Sequence, residues 1–223
     1  MLDFVLNFLF PPICGICGKL DKNWICEKCR KRIAKYERFE KIENQKIIKN
    51  SFNYLKEEIY CDEFLYCVEY KNLIRNLILK YKFYDCGYLS NLFANVILND
   101  KKINEIIKCY DIMIPVPMSK TKKKIRGYNQ TELIAKYFNQ YITVDNRALV
   151  KVKNTKTQST LLAHERAKNI KNAFKVRDIN IIKNKNIILF DDIVTTGLTV
   201  NEISKILKDA GAKRVLVFVI AKD

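Results

Sequence analysis

Short apolar runs alternate with amphipathic helical patterns through the second half of this 223-residue chain. The apolar runs lie at residues 111–116, 186–190 and 214–220, and apolar residues recur at helical spacing over 130–141 and 198–210. Strands that are apolar on both faces are typical of parallel sheets, because crossover helices cover both sides of such sheets. The alternation therefore predicts an α/β fold with a parallel sheet flanked by helices.

The first half of the chain carries weaker patterns. Residues 31–62 are polar, basic and poorly periodic, so we interpret most of this segment as a linker. The remaining predicted elements are a strand at 63–70, helices at 72–81 and 88–99, and short strands at 52–55 and 149–152.

Residues 1–10 are apolar, but this stretch is too short to span a bilayer. No basic segment precedes it, Asp3 interrupts it, and Pro11 and Pro12 follow it in place of a small-residue cleavage site. We therefore expect a short helix that docks on the body of the protein, not an export signal. The eight cysteines are then expected in a reducing cytoplasm, where thiols bind metal or pack as small apolar groups.

Positive charge is concentrated in one part of the sequence. The whole chain has 41 Lys and Arg against 24 Asp and Glu, and residues 115–190 alone hold 17 basic residues against four acids. Five cations crowd into seven positions: Lys120, Lys122, Lys123, Lys124 and Arg126. This cluster predicts either a rim of cations around a phosphate-bearing ligand or nucleic acid, or a solvated loop in a lysine-rich chain.

The run from Leu189 to Thr199 carries the strongest chemical signal. An apolar strand is followed by Asp191 and Asp192, and then by a short loop of threonines and glycine that opens a helix. A helix N-terminus offers unpaired N–H groups to a phosphate, and Gly197 lets the backbone approach the anion. Carboxylates at the carboxyl edge of a parallel sheet can accept hydrogen bonds from ribose hydroxyls. The alternative is a turn that Asp and Thr side chains cap without any ligand.

Four cysteines form two Cys-x-x-Cys pairs separated by eight residues: Cys14, Cys17, Cys26 and Cys29. Two such knuckles can close a tetrahedral thiolate site, so we predict a structural zinc ion. Packing cysteines or a redox pair are the alternatives. A four-cysteine site has no open coordination position, so catalysis by this metal is not expected. We divide the chain into an N-terminal helix and zinc-knuckle module at 1–50 and an α/β domain at 51–223.

The other four cysteines are scattered along the sequence. Cys61 and Cys67 are close to each other, whereas Cys86 and Cys109 stand alone. We interpret all four as buried packing residues, not as a second metal site.

The run around the two aspartates resembles the phosphoribosyl pyrophosphate (PRPP) signature of type I phosphoribosyltransferases, in which two acids and two variable residues precede Thr-Thr-Gly. Further motifs, in matching order, make the chain similar to the ComF (GntX-like) family, with Tyr128 as a mild departure from a family Phe. Besides the first Cys pair, the matching residues are Tyr70, Lys80-Tyr81, Pro115-Val116-Pro117, Arg126-Gly127-Tyr128-Asn129-Gln130, Thr155, Gln158, Arg166, Asn169, Ala173 and Phe174.

The resemblance implies roles for individual residues. Asp191 and Asp192 would hold the ribose of PRPP, the following turn would hold its 5′-phosphate, and Arg126 would face the pyrophosphate. Magnesium would accompany the pyrophosphate, because a hard divalent ion prefers phosphate oxygens and water. The implied PRPP-binding residues are Asp191, Asp192, Val194, Thr195, Thr196, Gly197, Thr199 and Arg126, and the implied flexible-loop residues are Gln158, Arg166 and Asn169. No residue is assigned a catalytic role.

Three functions stay open at this point. The resemblance favours a cytoplasmic PRPP-binding protein that handles single-stranded DNA in natural competence, with a competence helicase as an implied partner. The acidic pair and the Thr-Thr-Gly turn would equally serve a phosphoribosyltransferase that transfers a pentosyl group in base or nucleotide salvage. The third hypothesis is an adaptor in which both sites are structural and the partner is another protein.

Overall fold

A six-stranded sheet forms the centre of the protein, whose computed structural model describes residues 13–21, 25–52, 58–153 and 169–223. The strand order is β1-β2-β8-β7-β3-β4, and of the described pairs in this sheet only β1 and β2 run antiparallel. The six strands are β1 (Glu37–Ile42), β2 (Glu63–Glu69), β3 (Ile112–Pro115), β4 (Thr143–Val144), β7 (Asn186–Val194) and β8 (Arg214–Lys222). A separate antiparallel ribbon consists of β5 (Leu149–Lys151) and β6 (Phe174–Val176).

Nine helices accompany the strands in the described part of the chain. Side chains of Asn44, Asp100, Ser119 and Asp178 accept hydrogen bonds from N–H groups at the helix starts that they precede, which is why these helices begin there. The helices are α1 (Glu27–Ala34), α2 (Gln45–Ser51), α3 (Asn72–Phe83), α4 (Leu89–Leu98), α5 (Lys101–Ile107), α6 (Lys120–Arg126), α7 (Gln130–Ala135), α8 (Ile179–Ile182) and α9 (Leu198–Asp209). A 3₁₀ turn at Lys136–Phe138 extends α7.

The apolar sequence of β7 is explained by a core on each face of the sheet. Ile188 and Phe190 belong to one apolar cluster, together with buried residues of α3, α4 and α7. Ile187 and Leu189 point the other way, into a second cluster that includes buried residues of α2 and α9. Strand side chains alternate between faces, so only an unbroken apolar run can serve two cores. The predicted parallel sheet with helices on both faces is confirmed.

The interpretation of residues 31–62 as a linker was wrong. This segment contains the end of α1, strand β1 and helix α2, and β1 pairs with β2 from Glu37 to Ile42. The pattern was missed because β1 is an edge strand whose sequence is mostly charged. The division of the chain at residue 50 stays a prediction.

Other predictions differ from the structure in smaller ways. Phe52, the first residue of the predicted strand at 52–55, directly follows α2. The rest of that predicted strand lies outside the described residues. The predicted strand at 149–152 exists, but it belongs to the β5–β6 ribbon. The predicted helix at 1–10 also lies outside the described residues. Among the residues that are described, no helix is both long enough and apolar enough to cross a bilayer.

Candidate functional site

The two aspartates lie on strand β7 itself, whereas the sequence predicted that the strand ends before them. β7 continues to Val194 because its neighbour β8 is equally long, and the pairing extends from Asp191 with Val219 to Val194 with Lys222. The side chains of Asp191 and Asp192 therefore leave the strand on opposite faces of the sheet. They lie at the carboxyl end of β7, where open α/β sheets bind ligands.

Asp192 is held by a lysine that sequence reasoning did not single out. Its side chain is almost buried, with 5% of the residue exposed, and its Oδ1 atom lies 2.9 Å from Nζ of Lys82. Lys82 belongs to the last turn of α3, directly after the Lys80-Tyr81 motif. Burial of a carboxylate is costly unless a cation or hydrogen-bond donors compensate it, and Lys82 is the cation paired with Asp192.

Asp191 lies in a different electrostatic environment. Burial, and then the charge of Asp192, raise its pKa to about 7, whereas Lys82, the backbone N–H of Asp192 and Lys151 act in the opposite direction. That N–H donates to Oδ1 of Asp191 over 2.8 Å. Burial, and then Lys122, lower the pKa of Lys151 to about 8, while Asp191 opposes this shift. Asp191 can therefore exchange its proton near neutral pH, with Lys151 close enough to influence it.

The Thr-Thr-Gly turn opens helix α9 as predicted. Gly197 is the N-cap residue, has a left-handed backbone with φ of 73°, and leaves the helix start without a side-chain cap. The alternative of a turn capped by Asp or Thr side chains is therefore wrong, because the capping position holds a glycine. The N–H groups of an uncapped first turn remain available to an anion.

Phe52 covers one side of this turn, which the sequence did not predict. A Cβ atom on residue 197 would lie 2.3 Å from Cγ of Phe52. Phe52 is buried and its ring meets that of Phe64 edge-on, with centroids 5.1 Å apart. Thr196 is also buried, whereas Thr195 and Thr199 are half-buried. The turn is thus closed on the Phe52 side and accessible at the two outer threonines.

The cluster of cations after Pro117 forms helix α6, not a loop. Ser119 caps the helix by accepting from the N–H of Lys122 over 3.4 Å, and Gly127 ends it with a left-handed φ of 84°. Arg126, in the last turn, places its guanidinium carbon 5.2 Å from the centroid of the Phe83 ring. Burial lowers the pKa of Arg126, and the charge of Asp192 opposes that shift. Arg126 therefore faces the same region as the acidic pair.

A hydrogen-bond network explains how Arg126 and Lys82 come to lie close together. The Tyr128 hydroxyl donates to the backbone carbonyl of Tyr81 over 2.5 Å, and the Tyr81 hydroxyl donates to the carbonyl of Gln130 over 2.9 Å. These bonds join the segment after α6 to the end of α3. The Arg-Gly-Tyr-Asn-Gln motif thus holds its own Arg126 close to Lys82 at the end of α3.

The same motif fixes the loop after β3. Asn129 Nδ2 and the Thr131 hydroxyl both donate to the carbonyl of Val116, over 3.1 and 2.8 Å. The N–H of Val116 in turn donates to the carbonyl of Phe190 over 2.8 Å. The Pro-Val-Pro loop is therefore anchored beside β7, at the residue that precedes the acidic pair.

The flexible-loop residues implied by the resemblance are only partly described. Gln158 and Arg166 lie outside the described residues, whereas Asn169 is half-buried and precedes the buried Ile170. Their implied role stays a prediction.

The four cysteines of the two knuckles converge on one point. Their sulfur atoms all lie within 4.8 Å of one another, and Sγ of Cys17 is 3.7 Å from Sγ of Cys26. A tetrahedral site with zinc–sulfur bonds of about 2.3 Å requires sulfur atoms about 3.8 Å apart. The residues present fit a structural zinc ion, which would take all four thiolates as ligands.

The pKa values of the thiols are compatible with a bound cation at this point. Burial raises the pKa of Cys14, but N–H groups of Cys26, Cys17 and Ile16 outweigh burial and bring it to about 6. Burial, and then the neighbouring thiols, raise the pKa of Cys29 to about 12. The site thus favours one thiolate and resists further ionisation unless a positive ion compensates the charge.

The knuckles pack on the body of the protein. Cys14 and Cys29 are buried in the same apolar cluster as α4, and a Cβ on Gly15 would lie 2.5 Å from Cδ2 of Leu89. Gly18 has a left-handed φ of 73°, which completes the turn of the first knuckle. Glycine is therefore favoured at both positions, at Gly15 by the close packing of Leu89 and at Gly18 by the backbone conformation.

The prediction for the remaining cysteines is half right. Cys61 and Cys67 are buried, as predicted, but Cys86 is half-buried and Cys109 is exposed. Cys109 follows the end of α5, where its thiol donates to the carbonyl of Glu105 over 3.4 Å at the surface.

Comparison with known proteins places this geometry in a family. Residues 131–223 match the family model described as phosphoribosyl transferase domain. Competence protein F of Haemophilus influenzae is 30% identical over 209 residues, which cover 90% of this chain and 91% of that relative. The chain belongs to the ComF family. The predicted fold class, a phosphoribosyltransferase-like sheet with an N-terminal four-cysteine module, is thereby confirmed.

Other relatives of this ComF-family chain are more distant or shorter in their match. Competence protein ComFC of Streptococcus pneumoniae is 29% identical, over 69% of this chain and 65% of the relative. DNA utilization protein YhgH of Escherichia coli is 32% identical, over 50% of this chain and 49% of the relative. A solved hypoxanthine phosphoribosyltransferase from Staphylococcus aureus matches 60% of this chain and 65% of its own, at 13% identity and a TM-score of 0.35.

Proposed function

We propose that this ComF-family chain binds PRPP and assists the handling of single-stranded DNA during DNA uptake. The observation that carries the first part is the position of Asp191 and Asp192 on β7, directly before the uncapped N-terminus of α9. The second part is supported by the relatives named for competence and for DNA utilization. The positive charge of the segment from 115 to 190 adds electrostatic support.

In this proposal each part of PRPP meets a group of matching chemistry. The 5′-phosphate lies at the start of α9, where N–H groups and the hydroxyls of Thr195 and Thr199 can donate to it. The ribose hydroxyls donate to the carboxylates of Asp191 and Asp192. The pyrophosphate faces the loop after β3, and Arg126 offers it a positive charge.

Lys82 extends this assignment beyond the residues that the sequence singled out. Its ammonium group pairs with Asp192 and lies on the same side as Arg126, so it can compensate charge on both the acid and the pyrophosphate. Magnesium, when bound, neutralises pyrophosphate oxygens and is held mainly by those oxygens and water. The side chains then have to position the sugar and exclude water from it.

A phosphoribosyltransferase activity is the second candidate, favoured by the match of residues 131–223 to the phosphoribosyl transferase domain. The reaction would displace pyrophosphate at the anomeric carbon through a cationic ribosyl transition state, and the protein would contribute positioning and charge compensation. Labelled PRPP, magnesium and a panel of bases would reveal it through release of pyrophosphate. Binding of PRPP without any release would favour the DNA-handling proposal.

Calorimetric titration with PRPP and magnesium tests the binding site. We expect binding by the native protein and a loss of affinity of about tenfold or more when Asp191 and Asp192 are both replaced by Asn. Asp209→Asn, an exposed acid at the end of α9, is the matched control and should bind like the native protein. Absence of binding by the native protein would remove the PRPP assignment.

Binding of labelled single strands tests the second part of the proposal. A groove of 600 Å³ lies between α6 and the β5–β6 ribbon, and its positive charge supports this part of the proposal. Its cations are Lys120, Lys123, Arg147, Lys151, Lys153 and Arg177, against Glu132 as the acid. We expect the logarithm of the affinity to fall linearly with the logarithm of salt concentration. Failure to bind at about 50 mM salt would eliminate single-stranded DNA as a partner.

We place this function in the cytoplasm, because a four-thiolate zinc site persists in a reducing compartment. A competence helicase stays the predicted protein partner. Co-purification from cells at about 0.15 M salt would test that interaction.

A further inference from the structure

Two large aromatic side chains at the end of α3 are exposed without an evident structural reason. Phe83 is 63% exposed and Tyr84 is 72% exposed. Ile125, on the neighbouring helix α6, is 82% exposed. Aromatic residues contribute most to stability when they are buried, so a group of exposed ones marks an interaction surface more often than a structural element.

Phe83 and Ile125 line a cleft that is rich in positive charge, whereas Tyr84, the next residue in the chain, lines a neighbouring groove. The cleft has a volume of 720 Å³ and lies between the end of α3 and helix α6. Its cations are Lys82, Lys122, Lys124 and Arg126, and Asp85 is the acidic residue among those that line it. Four cations against one carboxylate favour a polyanion as the occupant of the cleft, and disfavour a protein partner whose surface carries few acidic residues.

Phe83 is accessible although it already contacts a cation. Arg126 lies over the Phe83 ring, with 5.2 Å between its guanidinium carbon and the ring centroid. Because 63% of Phe83 remains exposed, the contact with Arg126 leaves most of the residue accessible.

We propose that Phe83 in this cleft and the adjacent exposed Tyr84 each offer a ring on which bases of a single-stranded nucleic acid stack, while its phosphates contact Lys122 and Lys124. This proposal rests on the DNA-handling function above and specifies where the strand binds. Exposed aromatic faces combined with cations suit single strands, because their bases are free to stack whereas duplex bases already stack on each other. The cleft contains Lys82, the partner of Asp192, and Arg126, which the proposal above assigns to the pyrophosphate. The strand would therefore lie next to the PRPP site, on the side of Lys122 and Lys124.

The test compares a thymidine oligonucleotide with an abasic oligonucleotide of the same length and charge. We expect the native protein to bind the thymidine strand about tenfold or more tightly than the abasic strand, because stacking requires bases. Replacing Phe83 and Tyr84 by Ala should remove this preference and leave the salt dependence unchanged. Phe83→Trp should retain the preference, since it keeps an aromatic face.

Two further variants separate stacking from charge and from nonspecific surface effects. Lys122→Gln combined with Lys124→Gln should weaken both oligonucleotides equally and reduce the salt dependence. Ile179→Ala, which shortens an exposed apolar side chain outside this cleft, should behave like the native protein. Because Phe83 and Tyr84 are exposed, their replacement should leave the urea midpoint of unfolding unchanged.

Three outcomes would overturn the proposal. Equal affinity of the native protein for thymidine and abasic strands would exclude stacking, although the DNA-handling function would stand. No binding of either strand would remove both proposals together. A native dimer that the Phe83 and Tyr84 replacement converts to a monomer, with unchanged strand affinity, would show that a second copy of the chain covers this surface.

Discussion

Nζ of Lys82 lies 2.9 Å from Oδ1 of Asp192, which joins the last turn of α3 to the carboxyl end of β7. Both side chains are largely shielded from water, so each charge depends on the other for compensation. A ligand that binds both an acid and a cation at this point would therefore meet a site whose charges are already arranged. This relationship makes Lys82 the most informative residue to change.

Lys82→Gln should weaken PRPP binding by about tenfold or more, because it removes a cation beside the proposed pyrophosphate position. It should also lower the free energy of unfolding by about 1 to 3 kcal/mol, since Asp192 would be left buried without its partner. Titration calorimetry and urea unfolding measure the two effects. Lys82→Arg should retain most binding, and Lys101→Gln, which changes an exposed lysine of α5, should alter neither quantity. Unchanged binding by Lys82→Gln would show that the lysine has only a structural role.

Gly197→Ala should be among the most destabilising small substitutions in the chain. Its left-handed backbone costs an L-residue about 1 to 2 kcal/mol, and overlap with Phe52 should raise the total to about 2 to 4 kcal/mol. Gly211→Ala is a matched control, because Gly211 has a φ of 88° but its nearest side-chain neighbour is Lys183 at 3.5 Å. We expect Gly211→Ala to show the backbone cost alone in urea unfolding. Equal losses for both variants would mean that Phe52 moves aside freely.

The parts of the fold that the sequence predicted are those determined by local pattern. β7, β8 and α9 are set by continuous apolar runs and helical spacing, and the four cysteines of the metal site by their close repeats in the sequence. The helix start after Gly197 was predictable because glycine and threonine have strong local preferences there.

The parts that could not be predicted depend on distant contacts. The end of β7 is set by the length of β8, and Phe52 reaches the Thr-Thr-Gly turn from a helix far away in the sequence. Lys82 and Lys151 stand out only through their proximity to the acidic pair, and in a chain with 41 basic residues no local signal distinguishes them.

Asp191→Asn should stabilise the protein above neutral pH even though it weakens PRPP binding. The pKa of this carboxyl is raised to about 7 in the folded protein, so the folded state keeps a proton that the unfolded state has lost. Ionisation of Asp191 therefore lowers the free energy of unfolding as pH rises from about 4 to about 7. Above about pH 7 its contribution stays constant. Asn removes this dependence, with an expected gain of about 1 to 3 kcal/mol at about pH 8 and little change at about pH 4.

Urea unfolding across this pH range measures the effect of Asp191→Asn. Asp209→Asn serves again as the control, because Asp209 is exposed and its replacement should leave the pH dependence as in the native protein. The prediction would be contradicted if the free energy of unfolding changed by the same amount between about pH 4 and pH 7 in the native protein and in Asp191→Asn.

Removal of one cysteine ligand should separate the zinc site from the sheet. Cys26→Ser should lower the zinc content well below one ion per chain, because three thiolates hold the metal more weakly than four. We expect the two knuckles to lose their structure while the sheet remains folded. The knuckle cysteines belong to the core on one face of the sheet only, and the core on the α9 face includes none of them. Metal analysis of the purified protein and circular dichroism report the two quantities. Cys109→Ser, at an exposed position away from the knuckles, should retain its zinc. Native protein with almost no zinc, prepared without chelators, would contradict the assignment of this site.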